Sequence, residues 1–168
     1  KTAEYFDVLD DKGYKSGLVL PKKEVHERGL WHGGIHLWIT DGKGNILQQR
    51  RDASKPIMPD LWDMAVAGHI PAGYTSEAAV IEEAGEELDL TLTLEQFLSG
   101  EISLIGVTRV DMLTPKGWWH RRFDYNYAVC LALDLAGVTL EEGEVSEVRW
   151  YPCDQLVIDL KDPEAAQQ

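Results

Sequence analysis

Positive charge is scarce in this sequence: 16 Lys and Arg stand against 29 Asp and Glu, for a formal net charge of −13. That balance excludes a nucleic-acid polymer or an anionic membrane as the default partner, because both are held by clusters of basic side chains. A local basic pocket can still hold a phosphorylated small molecule. Cysteine is nearly absent too. Cys130 and Cys153 are too few for a disulfide framework and are expected as reduced thiols in a cytoplasmic protein. No apolar run approaches the roughly 18 residues of a membrane-spanning helix, and the first residues lack a signal-peptide pattern. Internal repeats and linker composition are missing as well. The 168 residues, 44% of them hydrophobic, are therefore expected as one domain, 1–168, with a sizeable core. The scarcity of cations is also uneven, since no Lys or Arg occurs between Pro56 and Thr108.

What fills that interval is acidic. Residues 68–74 carry the Gly and Pro of a turn, and beyond them Ile81, Ala84 and Leu88 recur at i, i+3 and i+7, the helix period. A loop delivering the chain into a helix is expected. At about 100° per residue Glu82, Glu83, Glu86 and Glu87 share one broad face away from the apolar stripe. Like-charged pairs at i, i+4 repel by a few tenths of a kcal/mol each, and no local cation relieves Glu82/Glu86 or Glu83/Glu87. Charge alone leaves two readings open. One is a solvated acidic face; the other is an oxygen-only carboxylate set suited to Mg²⁺ or Mn²⁺.

Residues 68–90 resemble the Nudix box, Gly-x5-Glu-x7-Arg-Glu-aliphatic-x-Glu-Glu-x-Gly-aliphatic, without a gap. Gly68, Glu83, Glu86, Glu87 and Leu90 match, and Ala84 is small and apolar where the family has an aliphatic residue. Tyr74, Glu82 and Asp89 stand in place of the first Glu, the Arg and the last Gly. In the family that Glu and Arg help to orient the metal-binding carboxylates, so their loss bears on rate and metal affinity and leaves the ligands in place. Asp89 is the mildest change, because Asp tolerates the left-handed backbone that a helix terminus often needs.

Beyond the box, residues 32–90 are similar to isopentenyl diphosphate isomerase and the Nudix hydrolases related to it. The similarity rests on Asp41-Gly42-Lys43-Gly44, Arg50-Arg51, Ser54-Lys55, Trp62 and Val66-Ala67-Gly68-His69. In the isomerase the positions of Arg51 and Lys55 contact the diphosphate and those of His32 and His69 bind the metal. Its catalytic Cys falls here on Ala67, whose methyl can neither donate nor accept a proton. Glu83 and Glu86, which the isomerase lacks, are what the hydrolases use.

The order of elements reads as α+β, with a small β-hairpin over residues 4–20, a short polar helix or loop over 21–28 carrying His26, and strands over 33–40 and 46–51. Leu61 to Ala67 enter the glycine turn, strands over 102–112 and 123–135 flank a loop, a last short strand covers 147–151, and a closing helix starts at Pro152 before a frayed tail, 165–168. The resemblance implies a Nudix-type α/β/α sandwich with a mixed β-sheet, residues 1–30 being an N-terminal hairpin extension.

It further implies metal-assisted hydrolysis of a diphosphate linkage in a nucleoside diphosphate derivative or related small molecule. A variant isomerase and a catalytically weak diphosphate-binding module are the alternatives. Glu83, Glu86 and Glu87 would hold Mg²⁺ or Mn²⁺, with main-chain carbonyls near Ala67 and Gly68 completing the coordination. Arg51, Lys55 and His69 would meet the substrate; for His69 and His32 a structural hydrogen-bonding role competes. Arg50 points to the opposite strand face from Arg51. Trp118 and Trp119 are expected to pack rather than to stack on a base or prenyl group. For the general base the choice is Glu144, which follows Gly143 and precedes Trp150 at a spacing similar to that of a distal metal-site Glu in some Nudix hydrolases. Glu147 is its alternative, and Glu141 and Glu142 are expected in a solvated turn. The chain is open to homodimerisation.

Overall fold

The computed structural model describes residues 4–55, 58–114, 117 and 119–162. The chain opens with an antiparallel hairpin of β1 (Tyr5–Leu9) and β2 (Lys15–Pro21). Its turn is closed by Asp10, whose Oδ1 accepts from Lys12 N and Tyr14 N, each at 2.9 Å. Helix α1 (Lys22–Glu27) follows, then β3 (His32–Thr40), β4 (Asn45–Arg51), β5 (Trp62–Met64) and β6 (Val66–His69). The second half holds α2 (Ser76–Leu88), α3 (Leu94–Leu98), β7 (Ser103–Leu113), β8 (Trp119–Cys130), β9 (Val145–Pro152) and α4 (Cys153–Asp159). Seven strands form one mixed sheet in the order β5-β4-β3-β8-β7, with β6 also on β3 and β9 on β4. The β3–β8 pairing is parallel and the other pairings are antiparallel. The architecture is α+β with a separate N-terminal antiparallel hairpin.

Several boundaries differ from the sequence expectation. Gly68 and His69 belong to strand β6, paired with Ile35 and Gly34, and the turn begins only at Ile70. Strand β4 meets β3 at Thr40–Ile46 and otherwise ladders with β9 and β5, so the two strands splay apart and leave a fork for β5 and β6. The apolar alternation Leu131, Leu133, Leu135 continues β8 in pattern only. The ladder stops after Cys130, and these side chains pack on the core from a loop and from the 3-10 turn Leu135–Gly137 that ends it. Helix α3 was not anticipated, although Thr93 and Gln96 have capping-box spacing and Gln96 Oε1 accepts from Thr93 N at 2.9 Å. Trp119 packs on its own hairpin, with Arg121 over its ring at 4.5 Å. Trp118 and the tail 165–168 lie outside the described residues.

The core explains why the sheet holds α2 firmly. Ile35, Leu37 and Ile39 alternate onto one face of β3 and are fully buried with Leu47, Val66, Val80, Ala84 and Leu88. Burial of each large aliphatic side chain is worth roughly 1.5–3 kcal/mol. The opposite face of β3 carries Gly34, where the absent side chain makes room for an ion pair between Arg122 Nε and the buried carboxylate of Asp124. A Cβ on Gly34 would lie 2.3 Å from Asp124 Oδ1 and 2.6 Å from Arg122 Nε. Gly34→Ala is accordingly expected to cost about 1–3 kcal/mol through overpacking, read as a lowered midpoint in urea with an unchanged m-value.

Candidate active site

Helix α2 is capped at both ends by its own sequence. Thr75 Oγ1 accepts from Ala78 N at 3.2 Å, and Asp89 closes the C-terminus in the left-handed region, φ 54 and ψ 34. Between these caps the four glutamates do not share one solvated face. Glu82 and Glu86 are exposed, whereas Glu83 is half-buried and Glu87 only 8% exposed. The reason lies in β6 and β4. Glu87 Oε2 accepts from Gln49 Nε2 at 3.1 Å and from Ala67 N at 3.3 Å. Gly68 lets the Glu83 carboxyl rest against its backbone, where any Cβ would come within 2.3 Å of Glu83 Cδ. Burial, the neighbouring Glu86 charge and further carboxylates push the Glu83 carboxyl up to about 7. Burial and the Glu83 charge push Glu87 up to about 8. Lys22, on α1, opposes the rise at Glu83. The set is all oxygen, anionic and crowded, the donor chemistry that fits a hard divalent cation.

These residues form one wall of a cleft of about 820 Å³ whose other walls bring four cations, Lys22, Arg51, Lys55 and Arg122, together with further carboxylates. Arg51 and Lys55 line it, while Arg50 pairs instead with Asp60 and Glu147. Arg51 Nε donates to Met58 O at 3.1 Å, and its Nη1 lies 3.7 Å from Asp63 Oδ2. Glu144 also lines the cleft, joined to Lys55 in an ion pair, so the expected base and one expected phosphate contact hold each other. Glu141 is not merely part of a solvated turn: it lines the cleft, and its N donates to Glu87 O at 3.2 Å, docking the Glu141–Glu144 loop onto α2. Sequence reasoning also missed Lys22, His36 and Arg122, which line the cleft as well. Arg122 Nη2 lies 3.1 Å from His36 Nε2. The signal available was Arg122 and Asp124 alternating on a strand otherwise rich in aromatics.

His69 is not alone beside the turn. Its ring stacks on Phe6 at 4.9 Å and lies 5.6 Å from that of His32, and one ligand atom each from His26, His32 and His69 lies within 4.8 Å of the others. Burial lowers His26 to about 4, His32 to about 3 and His69 well below its ordinary value, so all three are neutral at pH 7. His32 Nδ1 is 3.0 Å from Leu30 O, which fixes it as the donor and leaves Nε2 as a buried lone pair without a partner among the described residues. Three neutral imidazoles so arranged fit a borderline transition-metal ion better than Mg²⁺.

Residues 30–168 match the family model described as NUDIX domain, and the chain belongs to the Nudix family. Proteins similar to it include ones named as Nudix hydrolases and ones named as isopentenyl-diphosphate isomerases. Nudix hydrolase 3 of Arabidopsis thaliana is 34% identical over 156 residues, covering 90% of this chain and 20% of that one, so the chain spans a fifth of that relative's length. An isopentenyl-diphosphate Delta-isomerase of Citrobacter koseri is 33% identical over 93 residues, 55% of this chain and 51% of that one. The solved structure of DR0079 from Deinococcus radiodurans shares the fold, with a TM-score of 0.71 at 17% identity over 98% of this chain and 96% of that one. No helix among the described residues is long and apolar enough to cross a membrane.

The raised carboxyls carry a pH signature. Glu83 and Glu87 ionise later in the folded chain than their ordinary value of 4.5, so metal-free stability falls as pH rises from there through about 7 and 8. The histidines act oppositely, favouring the folded state as pH rises toward their ordinary 6.5 and contributing no further change above it. From pH 6.5 to 8 the carboxyls therefore dominate. The melting temperature of chelator-treated protein is expected to fall across that window, Mg²⁺ to restore it, and Glu87→Gln to flatten the slope.

Proposed function

We propose that the chain is a metal-dependent hydrolase that cleaves a diphosphate linkage in a nucleoside diphosphate derivative or a related small molecule. The observation that carries this reading is the Glu83–Glu87 pair, Glu83 half-buried against Gly68 and Glu87 buried beside it, with no Lys or Arg bonded to either among the described residues and both facing a cleft lined by Arg51 and Lys55. Glu83, Glu86 and Glu87 would hold Mg²⁺ or Mn²⁺, with the carbonyls near Ala67 and Gly68 completing the donor set. When bound, the ion supplies a water of lowered pKa and screens phosphate charge. Gln49 and the Ala67 amide keep Glu87 aimed, Arg51 and Lys55 bind the phosphates, and His69 borders the substrate from the histidine cluster. Glu144 takes the proton of the attacking water. Because Lys55 holds Glu144, a phosphate that draws the ammonium away frees the carboxylate as the substrate arrives. The chain acts as one Nudix domain in the cytoplasm, with residues 1–30 as an extension, on a small molecule and with no polymer or membrane partner; it is open to homodimerisation.

The second reading, an isomerase-like enzyme, draws on the partial match to isopentenyl-diphosphate isomerase and on the three histidines. Against it stands Ala67, which can move no proton. One experiment separates the two. Glu87→Gln is expected to reduce Mg²⁺-dependent formation of phosphomonoester products from a diphosphate panel, read as phosphate after phosphatase treatment, by at least about a hundredfold, in line with the loss of a group needed in the transition state. The wild type is expected to yield no dimethylallyl diphosphate from isopentenyl diphosphate; its formation overturns the hydrolase reading.

The base assignment has its own test. Glu144→Gln is expected to lower kcat by about 10²–10⁴-fold while leaving Mg²⁺-dependent thermal stabilisation in place. Glu147→Gln, which removes a surface partner of Arg50, is expected to leave kcat near wild type. A large loss at Glu147 and none at Glu144 reverses the assignment.

A further inference from the structure

Strand β7 is an edge of the sheet: it pairs with β8 and, among the described residues, with no other strand. An edge strand presents a row of backbone N–H and C=O groups, and proteins blunt such edges with Pro, Lys, short length or a bulge. β7 runs for 11 residues, Ser103–Leu113, with neither Pro nor Lys, and its register shift lies near one end, between Leu104 and Gly106. Residues 107–113 are left as a regular open edge. Ile105, Val107, Met112 and Leu113 are each between 44% and 61% exposed, and Trp119, exposed as well, faces Leu113 across the ladder. Apolar side chains so grouped along an unpaired edge mark an interaction surface.

The sequence of this stretch selects its occupant. Val107-Thr108-Arg109-Val110-Asp111-Met112-Leu113 is complementary to its own reverse about Val110. In an antiparallel pairing across a two-fold axis at Val110, Arg109 stands opposite Asp111 of the second copy, and Val107 opposite Leu113, on one face. On the other face Val110 meets itself and Thr108 meets Met112. Opposite charges and apolar pairs directly across a ladder each stabilise it. Within one chain Arg121 Nε donates to Asp111 Oδ1 at 3.0 Å and Arg109 Nη2 lies 3.5 Å from Asp111 Oδ2, so the alternation of charge on β7 and β8 continues across the axis. Two guanidinium groups stand here against one carboxylate. Copies that each carry a net charge of −13 therefore approach at this edge without setting carboxylate against carboxylate.

We propose that β7 is the interface of a homodimer, two copies of the strand pairing antiparallel about Val110 so that their sheets merge into one. A two-fold axis perpendicular to the merged sheet carries each face onto the same face of the other copy. Both glutamate clefts then open on the same side. His120, opposite Met112 in the β7–β8 ladder, lines the glutamate cleft, so the second copy stands beside that edge of the site.

Sedimentation of the unmodified chain is expected to give twice the mass of a single chain at micromolar concentration. Arg109→Asp and Asp111→Arg each set like charges opposite one another and are each expected to weaken the dimer about tenfold, whereas the two exchanges together restore it. Far-UV circular dichroism of each variant is expected to match the unmodified chain, which separates loss of pairing from loss of fold. In a chain carrying Cys130→Ser and Cys153→Ser, Val110→Cys is expected to link two copies when oxidised glutathione is added, because Cα separations of about 4.5–5.5 Å across a ladder fall within disulfide reach. Leu104→Cys, which has no counterpart in this register, is expected to stay unlinked. A chain that remains single at every concentration overturns the proposal and leaves the edge to a strand of another protein. A dimer that ignores both charge reversals and whose Val110→Cys variant fails to link overturns it too, because the interface then lies elsewhere.

Discussion

Two neighbouring carboxyl groups, Glu87 buried and Glu83 half-buried, with no basic side chain bonded to either among the described residues, are the constraint around which this molecule is arranged. Desolvation disfavours each anion and each anion disfavours the other, so Glu83 and Glu87 are pushed toward the protonated form until a cation joins them. A site of this kind persists only where the surrounding fold is strong enough to hold it. Here the aliphatic residues Val80, Ala84 and Leu88 lock α2 onto the sheet, and Gly68 permits an approach that any Cβ would block. Position also propagates outward from Glu87. Its side chain is fixed by β4 and β6, and its main-chain carbonyl takes the Glu141 amide, so the loop that carries Glu144 inherits its placement from the same helix.

The departures from the box pattern fit this frame. Tyr74 and Glu82 occupy the positions where the family has Glu and Arg, and here the Tyr74 hydroxyl donates to Glu82 Oε1 at 3.5 Å, a long and solvent-exposed contact. A neutral donor thus stands where the family has an anion, and an anion where it has the cation, on and beside α2. That leaves the local field more negative, which favours a divalent ion and gives less help in aiming the carboxylates. Asp89 adopts the left-handed conformation of a helix terminus, with φ 54, and its N donates to Gly85 O at 3.1 Å, so the missing glycine costs the helix end little.

How much of this was legible depended on whether the controlling interaction was local. Helix α2, the hairpin β1–β2, and strands β3 and β4 follow from period, turn residues and caps, all encoded within a few neighbours. The absence of Lys and Arg from residues 56–108 correctly marked the glutamates as unusual. Helical projection then placed all four on one open face, because it cannot see that β6 approaches with a glycine and thereby buries Glu83 and Glu87. The same limit hid Arg122 and Asp124. Their pairing depends on Gly34, some ninety residues earlier in the chain, and a charged pair on a strand looks solvated until that vacant position is found. The histidine cluster needed three segments, at residues 26, 32 and 69, brought together by packing on Phe6.

Phe6 points to the last step. The family match begins at residue 30, so the hairpin and α1 stand outside it, yet they build much of the site's boundary. Phe6 closes over His32 and His69 and keeps them dry, which is why burial dominates their lowered basicity. Glu4 and Lys22 form a 2.7 Å ion pair at the edge of the glutamate cleft, and Asp7 reaches across to the Gly73 amide. Ala72 N donates to Tyr5 O at 2.8 Å, which ties the turn before α2 to the first strand. The glutamate wall belongs to the shared framework, whereas Glu4, Tyr5, Lys22 and His26 of the extension border the same cleft. A change in the hairpin can therefore reshape the edge of the cleft without touching the carboxylates of α2.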